Sequence, residues 1–131
     1  CTHISIHCNL TEETHHLVDK KRMNLMPGKQ GRIECGNHIV NCARGGIIDE
    51  VALLTALENG TVTSAALDVF EVEPVTTENK LIQHPNFHGT PHIGAATKEA
   101  QSRVGLDIAA AVIEALSGKK PQTLVNSKYL D

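Results

Sequence analysis

An alternation of two periods limits this fold more than any other feature. Short apolar or β-branched runs at residues 3–10, 39–43, 64–69 and 87–90 alternate with stretches patterned for helices. Such runs, bounded by turn residues, read as strands. Helix starts are marked by Asp19 before KKRMNLM, by Asp49 and by Thr97, with Thr11 offering a cap to a single turn. The helix after Asp49 places Val51, Leu53, Leu54 and Leu57 for one buried face. The longest helix repeats Ala100, Val104, Ile108, Ala111, Val112, Ala115 and Leu116 at three- and four-residue steps up to Gly118. Pro27-Gly28, Gly45-Gly46 and Gly60 interrupt the patterns. Residues 29–38 read as loop, 71–83 as loop with a short helix, and 123–125 as a last short strand. Strands alternating with helices predict an α/β domain with a mostly parallel sheet.

Composition removes several alternatives. Aromatic residues are only 2% of the chain, so the core rests on Leu, Ile, Val and Ala. The formal net charge is -3, and the Lys20–Arg22 run is too short for a nucleic-acid surface. No apolar run approaches the ~20 residues that span a bilayer. The chain begins at Cys1, which reads as a processed chain or a piece of a longer one. Cys1, Cys8, Cys35 and Cys42 form no C-x-x-C pair, and no secretory pattern opens the chain; both fit reduced thiols and a cytoplasmic location. Cys35-Gly-Asn-His38 is the nearest approach to zinc-ligand spacing, but a second pair is missing, so no metal is expected.

Parallel sheets place ligands at the carboxyl ends of their strands. Three polar groups fall there: Arg44 before Gly45-Gly46, Asp68 with Glu71 and Glu73, and His92 in TPHIG. An arginine grips a carboxylate bidentately, and a histidine titrates near neutrality and serves as a general base. A carboxylate beside the imidazole orients it. Each residue also has a plain structural reading: Arg44 as a solvated turn residue, Glu71, Glu73 and Glu78 as a solvated acidic loop, His92 as a surface histidine. Asp68 differs, because it interrupts an apolar strand, where an unpaired carboxylate is costly.

The phrases NCARGGIIDEVALLTALENGTVTSAALDVFEVEP and HPNFHGTPHIGAATKEAQSRVG resemble the D-isomer-specific 2-hydroxyacid dehydrogenases over nearly the whole chain. The resemblance implies an oxidoreductase with a Rossmann-like, NAD-binding parallel sheet, of which this chain is the second half. It implies that Arg44 binds substrate, Glu73 pairs with the catalytic His92, and Asp68 meets the nicotinamide amide. Asn9, Cys42, Ala43, Arg44, His92, Gly94 and Ala95 match other cofactor contacts. It implies a small 2-hydroxy acid as substrate and a homo-oligomer. Residues 1–118 would belong to the nucleotide domain, and 119–131 to a segment returning toward a substrate-binding domain.

Three departures stand out. The G-x-G-x-x-G loop and the acidic residue that holds the adenosine ribose are not in this chain. Asn9 stands where the family usually has proline. Residues around Glu34 to His38 lengthen a connection by about five residues. Two rival readings of other kinds are a non-catalytic NAD-sensing scaffold and an inactive fragment.

Overall fold

The computed structural model describes residues 1–126. Chain contacts divide it into two units, Cys1–Gly94 and a second beginning at Ala95.

The first unit is built on a four-stranded sheet. Its strands are β1 (His3–Ile6), β4 (His38–Asn41), β5 (Ser64–Leu67) and β6 (Phe87–Gly89), in the order β1-β4-β5-β6 and all parallel. The register pairs Ile4 with Ile39, Ile39 with Ala65, and Ala65 with Phe87. Ile39, Ala65 and Phe87 in this row are buried. Helix α1 (Lys20–Met23) and helix α2 (Glu50–Glu58) pack against each other. The core closes around Met23, Ile39, Ile47, Ile48, Leu53 and Leu81, each no more than 2% exposed. Burying a side chain of this size contributes about 1.5–3 kcal/mol. The expectation of an α/β domain with a mostly parallel sheet therefore holds, and the four-stranded sheet is parallel throughout.

The expected caps are present. Asp19 accepts from Arg22 N at 2.8 Å, and Asp49 accepts from Ala52 N at 2.9 Å. Thr11 closes one turn, its carbonyl accepting from His15 N at 2.9 Å.

Several local expectations are corrected. The first strand stops at Ile6 instead of running to residue 10. Val51 is 77% exposed; the buried face of α2 is Ala52, Leu53, Ala56 and Leu57. The 100° step per residue carries Val51 to the outside. Residues 29–38 are not plain loop. They hold an antiparallel hairpin of β2 (Lys29–Gln30) and β3 (Ile33–Glu34), too short to leave a periodic pattern. Residues 71–83 form turns without a helix, and 123–125 lie in turns rather than a strand.

The lengthened connection leaves the core at Gly28 and returns to it at Asn37. Gly28 O accepts from both Cys35 N and Gly36 N, at 3.1 and 2.8 Å. Buried Asn37 then ties the connection down. Its Oδ1 accepts from Gly28 N at 2.7 Å, and its Nδ2 donates to Thr61 O at 2.7 Å and Met26 O at 3.2 Å. An amide with all these bonds made is inexpensive to bury, whereas breaking them strands buried polar groups. The nearby Cys35–His38 pair is occupied with hydrogen bonds: His38 Nε2 meets Cys35 O and His38 Nδ1 meets Ser64 Oγ, each at 2.8 Å.

The second unit is dominated by α3 (Lys98–Leu116), whose cap Thr97 accepts from Ala100 N at 3.1 Å. No helix among the described residues is long and apolar enough to cross a membrane.

Candidate functional site

Each strand of the main sheet delivers polar residues at its carboxyl end. β1 leads to His7, Cys8 and Asn9, and β4 to Cys42, Ala43 and Arg44. These residues, with Ile6, line one cleft. Buried Asn41 braces the turn that carries Arg44: its Oδ1 accepts from Ala43 N and its Nδ2 donates to Arg44 O, both at 2.9 Å. The Arg44 side chain folds back, its Nη1 donating to Ala43 O at 2.6 Å. Asn9 O accepts from the Thr14 hydroxyl at 2.7 Å.

Asp68 follows β5 and is 5% exposed. Its Oδ1 accepts from the Thr90 hydroxyl at 2.5 Å and from Ile93 N at 2.9 Å, and its Oδ2 accepts from Gly94 N at 2.8 Å. The partner that an aspartate in an apolar strand requires is thus the turn after β6. Burial pushes the Asp68 carboxyl up, but those three hydrogen bonds, aided by His92, hold it below its ordinary 3.8.

The same turn presents His92. Its φ is +55°, a left-handed conformation that histidine adopts more readily than most residues. The imidazole Nδ1 lies 2.7 Å from Glu73 Oε2. Glu73 Oε1 accepts from Phe70 N at 2.9 Å. That backbone bond first, and the histidine second, hold the Glu73 carboxyl below its ordinary 4.5. An ionised carboxylate only accepts, so Nδ1 carries the ring proton and Nε2 is left as the basic atom. His92, Glu73, Phe70, Pro74, Val75 and Pro91 line a second, mainly apolar cavity of about 300 Å³.

The structure therefore joins Glu73 to His92 directly, and joins Asp68 to the backbone beside His92. Among the described residues, the Arg44 side chain is not bonded to this group; the next residue, Gly45, lies against the Phe70 carbonyl. Cys42, Ala43 and Asn9 share the Arg44 cleft, and Ala95 begins the second unit. Asn41 and Thr90 were not singled out in the sequence. Their signals were an amide inside an apolar strand and a hydroxyl two residues before His92.

These bonds set a pH dependence. Both folded-state values lie below the ordinary ones, so both groups stabilise the fold above pH 4.5 and 3.8, and that stability is lost as pH falls below them. The melting temperature of the full-length protein should drop between about pH 5 and about pH 3, and Asp68→Asn should flatten the fall. An equally steep fall in the variant would contradict this account.

Comparison with known proteins now bears on the class. Residues 1–94 match the family described as D-isomer specific 2-hydroxyacid dehydrogenase, NAD binding domain. The chain is 46% identical over 123 residues to D-3-phosphoglycerate dehydrogenase of Bacillus subtilis (strain 168), covering 94% of this chain and 22% of that protein. A solved protein from Thermus thermophilus superposes with a TM-score of 0.84 at 34% identity, covering 95% of this chain and 37% of the other. A D-lactate dehydrogenase from Treponema pallidum superposes with a TM-score of 0.80 at 30% identity, over 92% of this chain and 38% of the other. The chain belongs to the D-isomer specific 2-hydroxyacid dehydrogenase family, in its NAD-binding domain. It spans about a fifth of the length of the curated relatives it matches.

Proposed function

We propose that this chain is the catalytic half of the nucleotide domain in a longer enzyme that oxidises 3-phospho-D-glycerate to 3-phosphohydroxypyruvate, the reaction that opens serine biosynthesis. The observation that carries the reading is the Glu73–His92 pair with Nε2 left free beside a cavity. The residues of the wider site suit NAD. Small side chains at Cys42 and Ala43 leave room for a flat ring, and Asp68 Oδ2 carries one protein hydrogen bond, leaving capacity for an amide N–H. Asn9, Cys42, Ala43, Arg44, Asp68 and the backbone of His92, Gly94 and Ala95 would hold the cofactor. NAD, when bound, supplies the hydride acceptor.

The chain's own residues do the rest. Arg44 swings from Ala43 O to clamp the substrate carboxylate through two N–H groups. His92 Nε2 takes the C2 hydroxyl proton. Glu73 keeps Nδ1 protonated and stabilises the imidazolium that forms. Asp68 fixes the turn that presents His92 and orients the nicotinamide amide. Residues 1–118 form part of the nucleotide domain, and those from 119 lead toward a substrate domain. The complete protein is a cytoplasmic homo-oligomer.

The D-lactate dehydrogenase match supports a second reading, a sibling enzyme acting on another 2-hydroxy acid. Assaying the full-length protein with NAD separates the two: 3-phosphoglycerate should be oxidised far faster than D-lactate, and glyoxylate should be a poor substrate for the reverse reaction. Preference for D-lactate or glyoxylate would move the assignment to the sibling, and turnover of none would sink the dehydrogenase reading.

A further inference from the structure

One carboxylate beside the site has no part in the proposed reaction. Glu71 Oε1 accepts from Glu50 N at 3.1 Å and from His16 Nε2 at 3.0 Å. In return, Glu71 N donates to Glu50 Oε1 at 2.6 Å. Glu50 Oε2 accepts from Asn79 Nδ2 at 3.3 Å, and Asp49 Oδ2 lies 4.0 Å from His16 Nδ1. Two like-charged side chains thus exchange backbone bonds across the first turn of α2. Asp49 caps α2 through Ala52 N, and Glu71 takes a different first-turn donor, Glu50 N.

The consequence lies one residue back along the chain. The peptide joining Phe70 to Glu71 is held at two points: Phe70 O packs on Gly45, and Glu71 N donates to Glu50. On the other side of the same residue, Phe70 N donates to Glu73 Oε1. A peptide unit is planar, so fixing Glu71 N also fixes the Phe70 carbonyl. The Phe70 residue then sets where the Glu73 carboxylate, and through it His92, can sit.

We propose that Glu50 and Glu71 are positioning residues for the Glu73–His92 pair, acting by locking the Phe70–Glu71 peptide. The cost is visible at Glu50, whose carboxyl is pushed up by burial first and by the Glu71 and Glu73 charges, against the hydrogen bonds from Glu71 N and Asn79. The kinetic part of this inference rests on the dehydrogenase reading; the structural part does not.

The test uses the full-length protein with Glu50→Ala, Glu50→Gln and, as a control, exposed Val51→Ala. Two readouts are taken: kcat against KM, and the carboxyl 13C titration of Glu73, identified by its loss in Glu73→Gln. Glu50→Ala should lower kcat about tenfold or more with KM for NAD unchanged, since small misplacements of a reacting group are costly. Its Glu73 carboxyl should titrate higher, toward the ordinary 4.5, as the Phe70 N–H bond loosens. Glu50→Gln keeps an oxygen that accepts from Glu71 N and should restore both. Should Glu50→Ala fail to fold, Glu71→Ala against Glu71→Gln tests the other half of the exchange, the bond from Glu50 N to Glu71 Oε1, with the same two readouts. A lowered melting temperature with kcat and the Glu73 titration unmoved would overturn the inference and leave a purely structural clamp. If the wild type oxidises no 2-hydroxy acid, the functional reading falls, while the Glu73 titration still decides the clamp.

Discussion

His92→Asn in the full-length protein should reduce kcat by about 10²–10⁴-fold, the usual worth of a positioned general base. That is about 2.7–5.5 kcal/mol of barrier. Asparagine is the informative replacement because of the backbone. His92 sits at φ +55°, and asparagine tolerates that region better than alanine, so the turn that Asp68 holds should survive. Affinity for NAD, followed by fluorescence of the reduced form, should stay near the wild-type value. Glu73→Gln asks the same question from the other side. Its amide oxygen still accepts from Phe70 N, but its NH₂ then faces His92 Nδ1 and donates to it. The ring proton is driven to Nε2, the atom that must accept the substrate proton. A loss of turnover as large as that of His92→Asn is expected, with a lowered melting temperature at neutral pH because the ionised carboxylate stabilises the fold. Near-wild-type turnover in either variant would remove His92 from the reaction.

The sequence carried the strands and caps because they are local. Asp19, Asp49 and Thr97 each bond a backbone N–H three residues on, which spacing alone reveals. Val51 was misplaced because its hydrophobicity suggested burial, whereas the alanines at 52 and 56 make the inner face of α2. The hairpin at 29–34 escaped because two-residue strands have no period. Within the candidate site, Arg44, Asp68, Glu73 and His92 are the residues that type, position at strand ends and resemblance single out. Glu71 is legible only as a carboxylate at a strand end or as part of a solvated loop, since nothing near it in the chain hints at a partner. Its partners, Glu50 and His16, lie 21 and 55 residues away and meet it only when α2 and the turn after β1 pack. Thr90 belongs to the same class, because its bond to Asp68 exists only once β5 and β6 are side by side, whereas Asn41 bonds within its own turn, to Ala43 N and Arg44 O.

Gly45→Ala should be among the most disruptive substitutions in the first unit, costing about 3 kcal/mol or more, the upper range for overpacking. A methyl group at Gly45 would overlap the Phe70 carbonyl oxygen and carbon, which are backbone atoms with no rotamer to yield. Phe70 itself is 3% exposed, its N–H is held by Glu73, and the N–H of the next residue is held by Glu50. Relief would require moving either the loop that carries Arg44 or the loop that carries Glu73, so lost stability and lost turnover should arrive together. Two other glycines isolate the steric cause. Gly31 has φ +63° with nothing near its missing Cβ, so alanine there should cost only the backbone penalty of about 1–2 kcal/mol. Gly105 lies inside α3 in open space, so alanine there should be neutral or stabilising by up to about 1 kcal/mol. Urea titration of the full-length protein, read at the transition of this unit, should leave Gly31→Ala more stable than Gly45→Ala. If Gly45→Ala matches Gly31→Ala, the two loops are not in the close contact on which both the dyad and its clamp depend.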